Sequence, residues 1–199
     1  MKKLLLTGFE PFLKYAINPT MNVVKYFNNK EVNGYKVVGE ILSVDFSKSG
    51  KQFIEKINEV KPDAIISLGL SGGRFKLTPE RIAINCNDGP ADNTGWKPSG
   101  EKIFQDGEDG IFSKLPIEKM VKQLTNASLP AEISNTAGTY LCNNVMYHGL
   151  YHTKKQDMSI PVGFIHIPAS HELAIEHGKI PSWSQDDLNR AIEICIQTL

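Results

Sequence analysis

Three stretches of the chain, "KLLLTG" (3–8), "DAIISLGL" (63–70) and "VGFIHI" (162–167), are apolar at almost every position instead of at every second one. Short runs of that kind suit strands of a largely parallel sheet, and they alternate here with segments of helical period. The same alternation marks "YKVVGEIL" (35–42), "RIAIN" (81–85) and "AEISN" (131–135) as further strands. The predicted fold class is therefore α/β, with a sheet that is mostly parallel.

The helices announce themselves by their caps and stripes. Asn18 followed by Pro19 reads as a cap and first helical residue ahead of "TMNVVKYFNN". Residues 46–60 place Phe53, Ile54, Ile57 and Val60 on one face. Near the end, Ser184 caps a helix whose first turn carries Asp186 and Asp187 and whose stripe is Leu188, Ala191, Ile192, Cys195 and Leu199. Residues 86–112, rich in Gly, Asp, Asn and Pro, read as an irregular loop or hairpin near a site. With 199 residues, 41% of them hydrophobic, and neither an internal repeat nor a linker, residues 1–199 are expected to form one unit.

Charge narrows the partners. Lys plus Arg and Asp plus Glu both number 22, so no basic surplus favours nucleic acid or an anionic membrane. A small, nearly neutral ligand is easier to accommodate. The opening "MKKLLLTGFEPF" has a lysine pair and three leucines, but Gly8, Glu10 and Pro11 stop the apolar run well short of a secretory core. The expectation is a protein that stays in the cytoplasm, since no run approaches the ~18 apolar residues of a membrane span. Three cysteines cannot close a disulfide framework, so at least one thiol is free.

One cysteine stands out. In "SNTAGTYLCNNVMYHGLYH" (134–152), a turn follows a predicted strand, Thr139 reads as a cap, and Leu141, Val145, Met146 and Leu150 trace a helical face. Cys142 then falls at about the third helical position, where unpaired amides and the positive end of the helix dipole stabilise a thiolate. The plain alternative is a small buried hydrophobe. A thiolate nucleophile needs a base, and His166, at the carboxyl end of "VGFIHI", lies at the sheet edge where α/β proteins place their sites. A core histidine satisfied by backbone fits that position as well. His148 and His152, four apart, have no evident third ligand, and "HELAIEH" (171–177) does not have the spacing of a zinc helix, so no metal is assigned. The glycine-rich "LGLSGGRFKLTPERIAIN" (68–85) lacks the ending of a phosphate loop and the spacing of a dinucleotide loop.

Taken together, "LLLTGFEPF", "GLSGGRFKLTPERIAIN", "SNTAGTYLCNNVMY" and "GFIHIP", in that order, closely resemble the pyroglutamyl peptidase I family of cysteine peptidases, and the likeness extends to the final "PSWSQDDLNRAIE". It is weakest from 86 to 130. The resemblance implies a three-layer α/β/α sandwich, a cytoplasmic dimer or tetramer, no metal or organic cofactor, and release of an amino-terminal pyroglutamyl residue from peptides with a blocked N-terminus. It implies Cys142 as nucleophile, His166 as general base and Glu80 as the third carboxylate; taken alone, Glu80 reads as a solvated charge before a strand. Backbone amides at the start of the Cys142 helix would hold the oxyanion. The flat lactam calls for an apolar slot with a few polar groups, and the family's lining falls on Phe9 and Phe12, with Asn18, Tyr140 and Leu141 nearby. Without the resemblance, Phe9 and Phe12 read as ordinary core.

Two departures bear on specificity. "GLSGGR" puts Leu70 where the family usually has a glutamine, and the loop "NCNDGPADN" is one residue shorter and lacks an arginine. Two other readings therefore stand beside peptidase: a thiol amidase for another small lactam or acyl group, and a non-catalytic binding module on the same fold.

Overall fold

The computed structural model describes residues 1–13 and 15–199. The chain begins with β1 (Lys2–Phe9), α1 (Pro19–Phe27), β2 (Glu31–Val32), β3 (Tyr35–Leu42), α2 (Ser49–Val60) and β4 (Ala64–Leu70). Five short strands follow: β5 (Thr78–Pro79), β6 (Ile82–Ile84), β7 (Asn87–Asp88), β8 (Ser99–Glu101) and β9 (Gly110–Phe112). After α3 (Ile117–Asn126) and α4 (Leu141–Lys155) come β10 (Val162–Ile167), β11 (Ala169–Ser170), α5 (His171–His177), β12 (Ser182–Trp183) and α6 (Gln185–Gln197).

The central sheet has the order β2-β3-β1-β4-β10-β5. Its four inner strands run parallel, and the two short outer ones pair antiparallel. Alternation within each apolar strand decides the layers. Leu4, Leu6, Ile66, Leu68, Ile165 and Ile167 pack one way, against Val24 and Phe27 of α1, Met120 of α3 and Leu188 and Ile192 of α6. Leu5, Ile65, Val162 and Phe164 pack the other way, against Phe53 and Ile57 of α2 and Val145 and Leu150 of α4. The result is the α/β/α sandwich around a mixed, largely parallel sheet. Full burial of each such side chain contributes about 1.5 to 3 kcal/mol relative to exposure, so these two faces dominate the fold's stability.

Local chemistry explains most boundaries. Asn18 caps α1 by accepting from Thr20 N at 3.1 Å, and Ser184 caps α6 by accepting from Asp187 N at 3.0 Å. The helix expected from residue 46 starts at Ser49, because Asp45 spends its carboxylate on Ser47 N and Oγ and holds 45–48 as a turn.

Three expectations need correction. "AEISN" is not a strand; it touches its neighbours only through isolated bridges at Ala131 and Ser134. "RIAIN" shrinks to Ile82–Ile84 and leaves the central sheet to pair with β9. Thr139 is not the cap of α4: Tyr140 holds that place in extended backbone, without a side-chain cap, and Cys142 is the second helical residue.

Candidate active site

The fold gathers three sequence-distant segments at the carboxyl edge of β4 and β10. Asn143, fully buried, anchors the start of α4: its Oδ1 accepts from Ile84 N at 2.8 Å, and its Nδ2 donates to the carbonyls of Ile84 at 2.8 Å and Cys86 at 3.1 Å. An amide with all three contacts satisfied fixes the backbone beside it, and the neighbour it fixes is Cys142. The sulfur of Cys142 lies over Gly69, where a Cβ would approach it to 2.8 Å. Gly69 in turn stands opposite His166 in the β4–β10 register.

His166, 6% exposed, uses Nδ1 to bind Glu80 Oε1 at 2.7 Å. Glu80 is completely buried directly after β5, tied by its backbone N–H to the Phe164 carbonyl at 2.9 Å. It is not the solvated charge its sequence context suggests. Burial opposes charging of the His166 ring, but the Cys142 sulfur, through charge and hydrogen bond, and then Glu80 more than offset it; the imidazole pKa is pushed up to about 9. Sulfur, imidazole and carboxylate thus gather at one edge of the sheet. Such an arrangement can deliver a thiolate and keep a proton on the ring beside it.

The first turn of α4 supplies the complementary dipoles. The lowest helical hydrogen bond runs from Asn144 N to the Tyr140 carbonyl at 3.0 Å, so the amides of Leu141, Cys142 and Asn143 precede the repeating pattern. A serine or threonine cap would occupy one of those donors. Tyr140 leaves them available beside the sulfur.

Next to Cys142 is an apolar slot lined by Phe9, Phe12, Val44, Leu70, Tyr140 and Leu141. Its free volume is about 10 Å³, room for roughly one water. Five of the six expected binding residues line it. Asn18 is the exception, since its side chain serves the α1 cap and donates to the Glu10 carbonyl at 3.1 Å. Tyr140 is held by a hydrogen bond from its hydroxyl to the Ala91 carbonyl at 3.1 Å, and burial first, then the charges of Asp92 and Cys142, push its pKa up to about 12. The irregular 86–112 segment therefore does reach the slot. A more open groove between α3 and α6, lined by Lys119, Gln123 and Thr198, holds neither cysteine nor histidine. No cluster of three or more His, Cys, Asp or Glu side chains suited to a metal occurs among the described residues.

Sequence reasoning passed over Asn143 and Arg74. Arg74 Nη1 lies 2.7 Å from Glu80 Oε1. Its place after two glycines gave no sign of a buried carboxylate six residues on.

Comparison with known proteins agrees with this geometry. The structure superposes on pyrrolidone carboxyl peptidase from Thermococcus litoralis with a TM-score of 0.96 at 36% identity, covering 100% of this chain and 93% of that one. It superposes on a mutant pyrrolidone carboxyl peptidase from Pyrococcus furiosus with a TM-score of 0.95 at 38% identity, covering 98% and 97%. In sequence it is 61% identical to a pyrrolidone-carboxylate peptidase of Oceanobacillus iheyensis over the whole of both chains, and 54% identical to one of Lysinibacillus sphaericus over 99% of this chain and 96% of the relative. The likeness is not confined to the site, for the pyroglutamyl peptidase family model matches residues 2–199, and the chain belongs to that family.

Proposed function

We propose that this protein is a cysteine peptidase that releases an amino-terminal pyroglutamyl residue from peptides, with Cys142, His166 and Glu80 as its catalytic residues. The observation that carries the reading is the convergence of the Cys142 sulfur, lying over Gly69 opposite His166 in the β4–β10 register, with a His166 ring whose Nδ1 lies 2.7 Å from the buried Glu80 carboxylate. The lactam ring enters at the slot of Phe9, Phe12, Leu70, Tyr140 and Leu141, whose side chains part to admit it, since the slot as it stands has room for about one water. The Cys142 thiolate attacks the carbonyl of the scissile amide, and the oxyanion forms against the amides that begin α4. Collapse breaks the C–N bond, His166 gives its proton to the leaving amine, and a thioester remains on Cys142. Water, deprotonated by His166, then attacks the thioester, and the C–S bond breaks to release the free acid and restore the Cys142 thiolate and the protonated His166 ring. Glu80 holds the ring in one tautomer and orientation throughout.

The same reading makes residues 1–199 one catalytic unit, acting in the cytoplasm as a dimer or tetramer without metal or organic cofactor. Three free thiols suit a reducing compartment. No helix among the described residues is long and apolar enough to cross a membrane. Exposed Phe112 and Trp96 offer apolar surface for assembly.

The test is hydrolysis of a fluorogenic pyroglutamyl amide with and without iodoacetamide, beside folded Cys142→Ala and His166→Ala. Turnover abolished by the alkylating agent and by either substitution is expected. Undiminished turnover in His166→Ala would require a different base.

A further inference from the structure

Glu80 has no solvent contact, yet both of its strong side-chain contacts fall on one oxygen. Oε1 lies 2.7 Å from His166 Nδ1 and 2.7 Å from Arg74 Nη1, whereas Oε2 is buried and makes no hydrogen bond among the described residues. A buried carboxylate held by half of its acceptors depends heavily on the partners it has. One of these, His166, changes charge in the reaction. The other, Arg74, does not.

Arg74 is also built into the site from three directions. Its Nη1 donates to Thr78 Oγ1 at 2.5 Å, and Thr78 stands opposite His166 in the β5–β10 pairing. Its Nη2 donates to the Thr136 carbonyl at 3.4 Å, in the turn that leads to Cys142. A tight turn, closed by Arg74 N to the Ser71 carbonyl at 3.0 Å, brings the residue back over Glu80 immediately after β4. The planar fork of a guanidinium satisfies such a divergent set of acceptors; a single ammonium does not.

We propose that Arg74 is a positioning residue of the active site: its permanent charge, 2.7 Å from Glu80 Oε1, holds that carboxylate aimed at His166 through the whole cycle. This rests on the cysteine-peptidase reading above. When His166 gives up its proton to the leaving amine, the buried carboxylate loses its charged partner on that side. Arg74 then holds the negative charge alone, so the ring is still oriented when it must take a proton from water. The charged and titratable groups facing Glu80 are Arg74 from the loop, His166 from β10 and, beyond it, Cys142 from α4. Lys76 is engaged with Glu132, and Arg81 with Asn135.

The test compares Arg74→Gln and Arg74→Lys with the unaltered protein, each checked for an unchanged fold by circular dichroism. Three quantities are read against pH: kcat and KM on a pyroglutamyl amide, and the iodoacetamide alkylation rate of Cys142. Arg74→Gln is expected to lower kcat by roughly tenfold to a hundredfold, the scale of one lost charged hydrogen bond, with KM nearly unchanged. Its acid limb shifts to higher pH in both measurements, because an unsupported buried carboxylate takes up a proton more readily. Arg74→Lys, retaining the charge without the fork, regains most of kcat and of the pH profile. Wild-type kcat and pH profile in Arg74→Gln would overturn the proposal, as would equal losses in both variants with an unmoved profile, which belong to a purely structural clamp. Alkylation needs no substrate. An Arg74-dependent alkylation profile in a protein that turns over no pyroglutamyl amide therefore refutes the substrate assignment while sustaining the role of Arg74.

Discussion

Gly69 and His166 stand opposite one another in the parallel register of β4 and β10, and the space left by the side chain Gly69 lacks is occupied by the sulfur of Cys142. A Cβ at Gly69 would lie 2.8 Å from that sulfur and 2.7 Å from the Phe164 ring, both too close. Gly69→Ala must therefore displace the Cys142 sulfur or the Phe164 ring beside it. The expected result is a loss of kcat/KM of about a hundredfold, the scale of an ångström of misplacement at a reacting atom. Stability falls by about 1 to 3 kcal/mol, as for other overpacked cores. Gly163→Ala is the control, because its Cβ meets Ser113 and Leu115 well away from Cys142. Comparable melting losses with activity lost only in Gly69→Ala would establish the steric link; equal activities would refute it.

The three thiols differ sharply in surroundings. Cys195 is wholly buried in the α6 stripe, and burial pushes its pKa up to about 12. Cys86 and Cys142 are both partly exposed, but only Cys142 adjoins an imidazole and a helix start. Brief iodoacetamide treatment followed by peptide mapping is expected to label Cys142 first, with Cys195 unreacted in the native state. Faster labelling of Cys86 would remove the case for Cys142 as the activated thiol.

What could be read from the chain alone follows the range of the interactions. The central strands and the α1 and α6 caps were legible because apolar runs, Asn18–Pro19 and Ser184 act within a few residues. "AEISN" misled because its alternation looks like a strand while only Ala131 and Ser134 find partners. Thr139 misled because its cap chemistry is local, whereas the cap position falls one residue later at Tyr140, which offers no side-chain cap. Glu80 and Arg74 could not be distinguished from surface charges by local pattern. Their meaning comes from His166, far along the chain, and from a loop that folds back after β4.

The proton on His166 sets the alkaline side of the pH profile. Its pKa, about 9, lies above the ordinary 6.5, so the imidazolium's contribution to folded stability is complete below about 6.5 and is lost as pH rises through about 9. In the proposed mechanism activity follows the same proton, since the ring donates it to the leaving amine. We expect kcat/KM to fall above about pH 9. Burial acts to lower this pKa and the Cys142 sulfur is the leading influence that raises it, so Cys142→Ala should move the His166 titration, followed by NMR of its ring, to lower pH. A titration unaffected by that substitution would mean the sulfur and ring are not coupled.

Leu70 closes one wall of the slot, 5% exposed, beside Phe9, Phe12 and Tyr140. Behind it lie Ala169 and Leu173, so the position is apolar on both sides. A lactam amide facing Leu70 finds no side-chain partner there, and a buried amide without a partner costs about 1 to 3 kcal/mol. Leu70→Gln is therefore expected to raise kcat/KM on a pyroglutamyl amide by roughly tenfold to a hundredfold, with less gain on the prolyl analogue, whose ring lacks the carbonyl. The substitution also exposes Ala169 and Leu173 to a polar neighbour, so a lower melting temperature accompanies it without altering the ratio between the two substrates. Paired kinetics on both amides decide the matter. If both rates are unchanged, or only the pyroglutamyl rate falls, the ring does not meet residue 70, and its polar edge must instead be bound by backbone elsewhere in the slot.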